Sequence, residues 1–222
     1  MAKITTNSSR VGDSSLSLRL NSLHQYYQNE ASIWDIGCDH GLLGLSFLNY
    51  EQVQRINLVD PAAPVIETLR NKIKATYISN PKLFIHHLPG QEIKLDPNSN
   101  CIFIAGMGGK EIGEIILNLI PQLSSNDRLV ISPHRKILEL RELLHSKNLA
   151  LLDEEVLRED GQFYQIIVLA KSEKSGQIPL YGEKLWASET GKEYRNHQLK
   201  HFDLHQDVAS RQYLSFLKSL NS

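Results

Sequence analysis

Cysteine is scarce in this chain. Cys38 and Cys101 are the only two among 222 residues; they lie on separate segments, which argues against a disulfide framework and fits a reducing compartment. An excess of one charge is also missing. Lys and Arg number 24 against 25 Asp and Glu, for a net charge of −1, so global charge does not draw in a polyanion and any nucleic-acid contact must be a local basic patch. No uninterrupted apolar run approaches the ~20 residues of a membrane span. The start, Met1-Ala2-Lys3-Ile4-Thr5-Thr6, carries no apolar signal core. These absences lead to the expectation of a soluble, cytoplasmic protein with no membrane partner. Internal repeats and low-complexity tracts are lacking too, and the length suits one domain of ordinary size plus an appendage.

What is present is periodicity. Leu16, Leu20, Leu23 and Tyr27 recur at helical spacing behind a cap at Asp13 or Ser14, which predicts an amphipathic helix covering a sheet edge. Apolar runs then alternate with helical patterns. Strands are expected at 32–36, 55–59, 83–86, 101–105 and 128–132, and helices at 42–49, 64–77, 110–119 and 138–147. Such alternation predicts a mainly parallel sheet with helices on both faces. Two further β-rich runs, 149–157 and 163–170, flank Asp160-Gly161, a strong hairpin signal. The expected fold is therefore α/β: a Rossmann-like seven-stranded sheet with a terminal antiparallel hairpin, the pattern of class I methyltransferases. Composition turns polar from Lys171 to Gly182, which reads as a linker. Leu199, Phe202, Ala209, Tyr213, Phe216 and Leu220 then form a helical seam with Gln206 as its one polar interruption. The expected organisation is a catalytic domain over 1–172, a linker over 173–182 and a short C-terminal helical extension over 183–222.

The loop Asp35-Ile36-Gly37-Cys38-Asp39-His40-Gly41, followed by Gly44, lies where a strand must turn sharply into a helix. Its glycines allow close backbone approach by a ligand, and the helix aims free N–H groups there. It is not a dinucleotide fingerprint, because Asp39 stands where the second glycine of G-x-G-x-x-G belongs. A carboxylate there suits a ligand carrying an ammonium and hydroxyls, such as S-adenosylmethionine. Asp35 either orients this loop and accepts from an ammonium or caps the helix. His40 is either a cofactor neighbour or a capping histidine.

Asp60 closes the second strand about twenty residues past the loop, where a carboxylate can accept both ribose hydroxyls of an adenosine; it could also serve as an N-cap ahead of Pro61 and Pro64. Gly90, in the turn after the third strand, could border the adenine ring. Gly106-Met107-Gly108-Gly109 ends the fourth strand with three glycines in four residues, and a substrate is expected to meet the transferred group there. Ser132-Pro133-His134-Arg135 ends the fifth strand on the same rim, so His134 and Arg135 either touch substrate or form a solvated turn. His197, His201 and His205 share one helical face. No carboxylate or cysteine joins them, so the stripe reads as solvated or RNA-facing, with Arg195, Lys200 and Arg211 nearby, and no metal is expected.

Four motifs occur in one order: Leu16-Ser17-Leu18-Arg19-Leu20, Asp35-Ile36-Gly37-Cys38-Asp39-His40-Gly41, Ile104-Ala105-Gly106-Met107-Gly108-Gly109 and Leu157-Arg158-Glu159-Asp160-Gly161-Gln162-Phe163-Tyr164. With them the chain resembles the bacterial TrmK family of tRNA (adenine-22-N1) methyltransferases over about residues 14–172. The resemblance implies S-adenosylmethionine as methyl donor and tRNA as acceptor, with a helical C-terminal domain and a monomer or homodimer. It implies Asp35, Gly37, Cys38, Asp39, His40, Gly41, Asp60, Pro61, Gly90, Gly106 and Met107 around the cofactor, and Gly108, Gly109, Pro133 and Arg135 around the substrate. Asp39 and His134 are the expected polar contacts to the target base, with Tyr164 stacking on it or bonding to it. The chain departs from the family at Ser132-Pro133-His134, where Q-P-N is usual, and at Pro89, where an acidic or amide residue usually precedes the glycine. A methyltransferase acting on another RNA, a protein or a small molecule, or a non-catalytic binding module, is the alternative.

Overall fold

A computed structural model describes residues 16–76, 80–175, 178–202 and 207–220. Seven strands form one sheet: β1 Ser32–Ile36, β2 Arg55–Asp60, β3 Leu83–His87, β4 Asn100–Ala105, β5 Arg128–Ser132, β6 Leu149–Glu159 and β7 Gln162–Lys171. Their order is β3-β2-β1-β4-β5-β7-β6. The first five run parallel, and β7 enters antiparallel to both β5 and β6. The expected fold is the observed one.

Period-two alternation sorts the strands between two cores. On one face Trp34, Ile36, Ile102, Ile104, Leu129 and Ile131 meet α4 (Gly109–Leu119) and α5 (Ile137–His145). On the other, Ile33, Ile56, Leu58, Cys101, Phe103 and Val130 meet α1 (Leu18–His24), α2 (Leu42–Leu45) and α3 (Ala63–Thr76). Both cysteines are buried and free.

Three elements differ from their sequence pattern. The helix expected over 42–49 ends at Leu45, where Ser46 Oγ donates to the Leu43 carbonyl at 2.6 Å and competes with the helical bond. The first helix starts later than expected: Ser17 is its N-cap, accepting from Leu20 N, and the suggested caps Asp13 and Ser14 lie outside the described residues. The C-terminal seam is shared by two helices, α6 (Glu189–Phe202) and α7 (Val208–Ser219). Asp207 caps the second, accepting from Ser210 N at 2.9 Å; Ala209 is exposed, and Gln206 and His205 lie outside the described residues. Arg195 is not a surface cation either. It is buried and donates to the Leu217 carbonyl at 2.6 Å, tying α6 to α7.

The helical extension is clamped to the sheet through a third core of Val156, Leu185, Trp186, Tyr194, Tyr213 and Leu217. Beside it lies a buried ion pair, Arg141 Nη2 to Glu154 Oε2 at 2.5 Å, both side chains at most 1% exposed. Its remaining valences are filled. Arg141 also donates to Gln165 Oε1 and the Pro179 carbonyl, Glu154 accepts from Glu183 N and Lys184 N, and Gln165 donates to the Tyr194 hydroxyl. The stretch read as a linker is thus packed where it is described, with Ile178 fully buried. A bulge at Leu151/Asp153 interrupts the β6–β7 ladder just before Glu154.

Removing one partner strands the other charge in a dry site, which typically costs about 3–5 kcal/mol. Arg141→Met should therefore lower unfolding stability by that order, read as a shifted denaturant midpoint. An unchanged midpoint would show that the clasp adds nothing.

Candidate active site

The carboxyl ends of β1, β2, β4 and β5 open on one side of the sheet, and a cleft of about 550 Å³ lies there. Its walls bring together Asp35, Gly37, Cys38, Asp39, His40, Asp60, Pro61, Gly106, Met107 and His134. All of these were marked by the sequence. Arg19, Leu20, Leu42, Leu43, Ala105 and Glu111 complete the lining.

Each acid is placed by the backbone. Asp35 ends β1 buried, with Oδ2 accepting from Gly44 N of α2 at 2.9 Å. Asp60 accepts from Ala62 N through Oδ1 at 2.8 Å, while Oδ2 has only a long contact of 3.4 Å from Asp39 N, which leaves lone pairs facing the cleft. Between them Gly37 turns the chain at φ 70°, and a Cβ there would lie 2.1 Å from Met107 Cε. Four carboxylates, Asp35, Asp39, Asp60 and Glu111, thus face one guanidinium, Arg19, and the cleft favours a cation.

The β4 and β5 loops forming the far wall are joined by backbone. His134 N–H donates to the Met107 carbonyl at 3.0 Å, and Gly109 N–H to the Arg135 carbonyl at 2.8 Å. A Cβ on Gly109 would sit 2.3 Å from the Lys136 carbonyl oxygen, so this glycine is required by loop packing. His134 is held below the ordinary imidazole range by burial and by Arg19 and Arg135, so it is neutral at pH 7.

Several expected contacts lie elsewhere. Gly41 backs onto Leu69 and Leu58, and Gly90 is wedged between Ile36 and Ile115; neither is among the lining residues, and the space they save is core space. Gly108, Gly109 and Pro133 are not among the lining residues either; a Cβ on Gly108 would lie 3.2 Å from Arg135 Nε. Arg135 lines a second groove of about 620 Å³ between α5 and the C-terminal helices, together with Lys136, His197 and His201; His134 is shared by both. Tyr164 stands beside His134, their rings edge to face at 5.5 Å.

The role of α1 was not legible from periodicity. Glu159, at the β6–β7 turn, accepts from Arg19 N at 3.0 Å and Ser17 Oγ at 3.4 Å; α1 thus lies against the edge strand β6, as expected, and this tether carries Arg19 and Leu20 into the cleft. The sequence signal that could have shown it is the Leu16-Ser17-Leu18-Arg19-Leu20 motif.

Sheet order, terminal hairpin and an acidic cleft at the strand ends define a Rossmann-like α/β protein built for a cationic, nucleotide-type cofactor. The chain belongs to the methyltransferase-domain family, whose sequence profile it matches over residues 16–167. It is 31% identical over 154 residues to the tRNA (adenine(22)-N(1))-methyltransferase of Bacillus subtilis strain 168, a match covering 69% of this chain and 64% of that protein. Its fold matches the crystal structure of the B. subtilis m1A22 tRNA methyltransferase TrmK at TM-score 0.70 and 21% identity, over 92% of this chain and 94% of that one. It likewise matches M. capricolum TrmK in complex with S-adenosyl-homocysteine at TM-score 0.70 and 18% identity, over 93% and 95%.

Burial, opposed by the Gly44 N–H bond and assisted by Asp60 and Asp39, pushes Asp35 from 3.8 up to about 7. A carboxyl raised in the folded state gives stability that is full below its unfolded value and lost as pH rises through about 7. Asp35→Asn keeps the acceptor for Gly44 without the charge. It should be more stable than the parent at pH 8, by roughly 4 kcal/mol for about three pH units at ~1.4 kcal/mol each, and equal to it near pH 3. Equal melting temperatures at both pH values would refute the shift.

Proposed function

We propose that this protein is a cytoplasmic S-adenosylmethionine-dependent methyltransferase acting on N1 of an adenine in tRNA, at position 22. The carrying observation is the acidic cleft with a neutral histidine on its rim; the 31% identical B. subtilis relative supports the acceptor. The residues present fit the cofactor. Asp35 and Asp39 complement an ammonium and a sulfonium, and the free lone pairs of Asp60 suit a pair of ribose hydroxyls. Leu42, Leu43 and Pro61 supply apolar surface. A Cβ built on Gly106 would meet no protein atom within 4 Å, so that wall stays open to a ligand.

When bound, the cofactor would supply a methyl group on a positively charged sulfur, held by Asp35, Asp39 and Asp60, for the N1 lone pair of the adenine, the sulfur retaining the electrons of the bond that breaks. N1 needs no prior deprotonation, so the work of the chain is positioning and exclusion of water. The adenine must leave its stack to reach the cleft. Asp39 and neutral His134 offer acceptors to its amino edge, and Tyr164 offers a ring face. The RNA backbone is repelled by the carboxylates and must be met outside them, where Arg135 and Lys136 border the second groove.

Labelled methyl from S-adenosylmethionine should appear in unmodified total tRNA as 1-methyladenosine on nucleoside analysis. Cofactor bound without any label in tRNA would move the search to other acceptors. Asp60→Asn, which removes a charge-assisted bond but keeps the Ala62 acceptor, should weaken cofactor binding about 10- to 100-fold. Unchanged affinity by calorimetry would remove Asp60 from the site.

A further inference from the structure

Three side chains converge on the rim in an arrangement that cofactor binding does not require. Arg19 Nη1 lies 2.5 Å from His134 Nε2. The guanidinium carbon stands 4.8 Å from the centre of the Tyr164 ring, and the two rings meet edge to face. A guanidinium has donors only. Nε2 is therefore the accepting nitrogen, and the imidazole proton sits on Nδ1. Arg19 is not saturated in this position, since its Nε is buried without a hydrogen-bond partner. The helix carrying it is held independently, through the backbone N–H that Glu159 accepts, so the side chain can leave while α1 stays.

A flat N–H-donating group, set over a tyrosine ring and donating to a neutral imidazole nitrogen, has the same recognition chemistry as the amino-bearing edge of adenine. We infer that Tyr164 and His134 Nε2 form a subsite for the exocyclic amino edge of the acceptor base, and that Arg19 occupies this subsite as a surrogate until the base displaces it. The inference rests on the adenine-acceptor reading above. It makes Arg19 and His134 a specificity device. Guanine and hypoxanthine carry a carbonyl at that edge, which Nε2 can meet only after the imidazole moves its proton from Nδ1, so they replace the guanidinium less readily. Once displaced, the guanidinium is at the cleft mouth, where its planar fork suits an RNA phosphate.

The test uses the full chain with its cofactor site saturated by S-adenosylhomocysteine, titrated with adenosine and with inosine. Arg19→Met keeps the apolar stem of the side chain, and a melting temperature near that of the parent certifies its fold. It should bind adenosine about three- to tenfold more tightly than the parent, because the competitor is gone. Inosine binding should improve less, and His134→Ala added to Arg19→Met should abolish the adenosine gain. Unchanged, weaker or undetectable adenosine binding by Arg19→Met, or an equal gain for inosine, overturns the subsite. If Arg19→Met does not fold, the parent protein decides: adenosine must move the Arg19 guanidinium nitrogen resonances, and at lower concentration than inosine does. Methyl transfer to tRNA is assayed separately. An adenosine gain without transfer to tRNA defeats the acceptor reading, and transfer without the gain defeats the subsite alone.

Discussion

Two backbone hydrogen bonds, from His134 to Met107 and from Gly109 to Arg135, hold the rim of this molecule together. They fasten the loop after β4 to the loop after β5, and the other parts of the cleft take their places from that junction. The Met107 methyl packs against Gly37, whose φ of 70° turns the first loop beside it. α4 starts where Gly109 meets Lys136, which brings Glu111 to the cleft. His134 is held from its main chain, which leaves its ring free to face Arg19 and Tyr164. Because these contacts are backbone to backbone, they tolerate a change of side chain at 132–134 better than side-chain contacts would.

The cleft balances binding against stability. Asp35, Asp39, Asp60 and Glu111 line one small volume, and Asp35, the most enclosed of them, is raised chiefly by its burial and to a lesser degree by Asp60 and Asp39. An empty acidic cleft is a cost the folded protein carries at neutral pH, and a cationic ligand relieves it.

The sheet was legible because period-two apolar patterns sort residues such as Ile33 and Trp34 onto opposite faces, and Asp160-Gly161 turns with positive φ at both positions, as a two-residue hairpin demands. Asp35, Asp39 and Asp60 were legible because strand ends and glycines mark a ligand approach; Glu111, in the first turn of α4, was not marked. Gly41, Gly90 and Gly109 were read as ligand glycines but save room for Leu69, Ile115 and the Lys136 carbonyl, contacts that come from distant parts of the chain. Local pattern cannot reveal these. The same holds for α1, whose position depends on Glu159, 140 residues away from Arg19, and for Arg195, a surface cation by composition that α7 buries.

Strand β6 serves two different interiors, and the bulge at Leu152 makes this possible. Ahead of it Leu149 and Leu151 turn toward the α4 and α5 side of the sheet; beyond it Glu154 and Val156 turn the same way, although strict alternation would send them to the opposite face. One unpaired residue thus acts as a phase shift in the strand's reading. Upstream the odd positions face inward, downstream the even ones do, and the point of change is where an oily interior gives way to the polar clasp on the C-terminal helices.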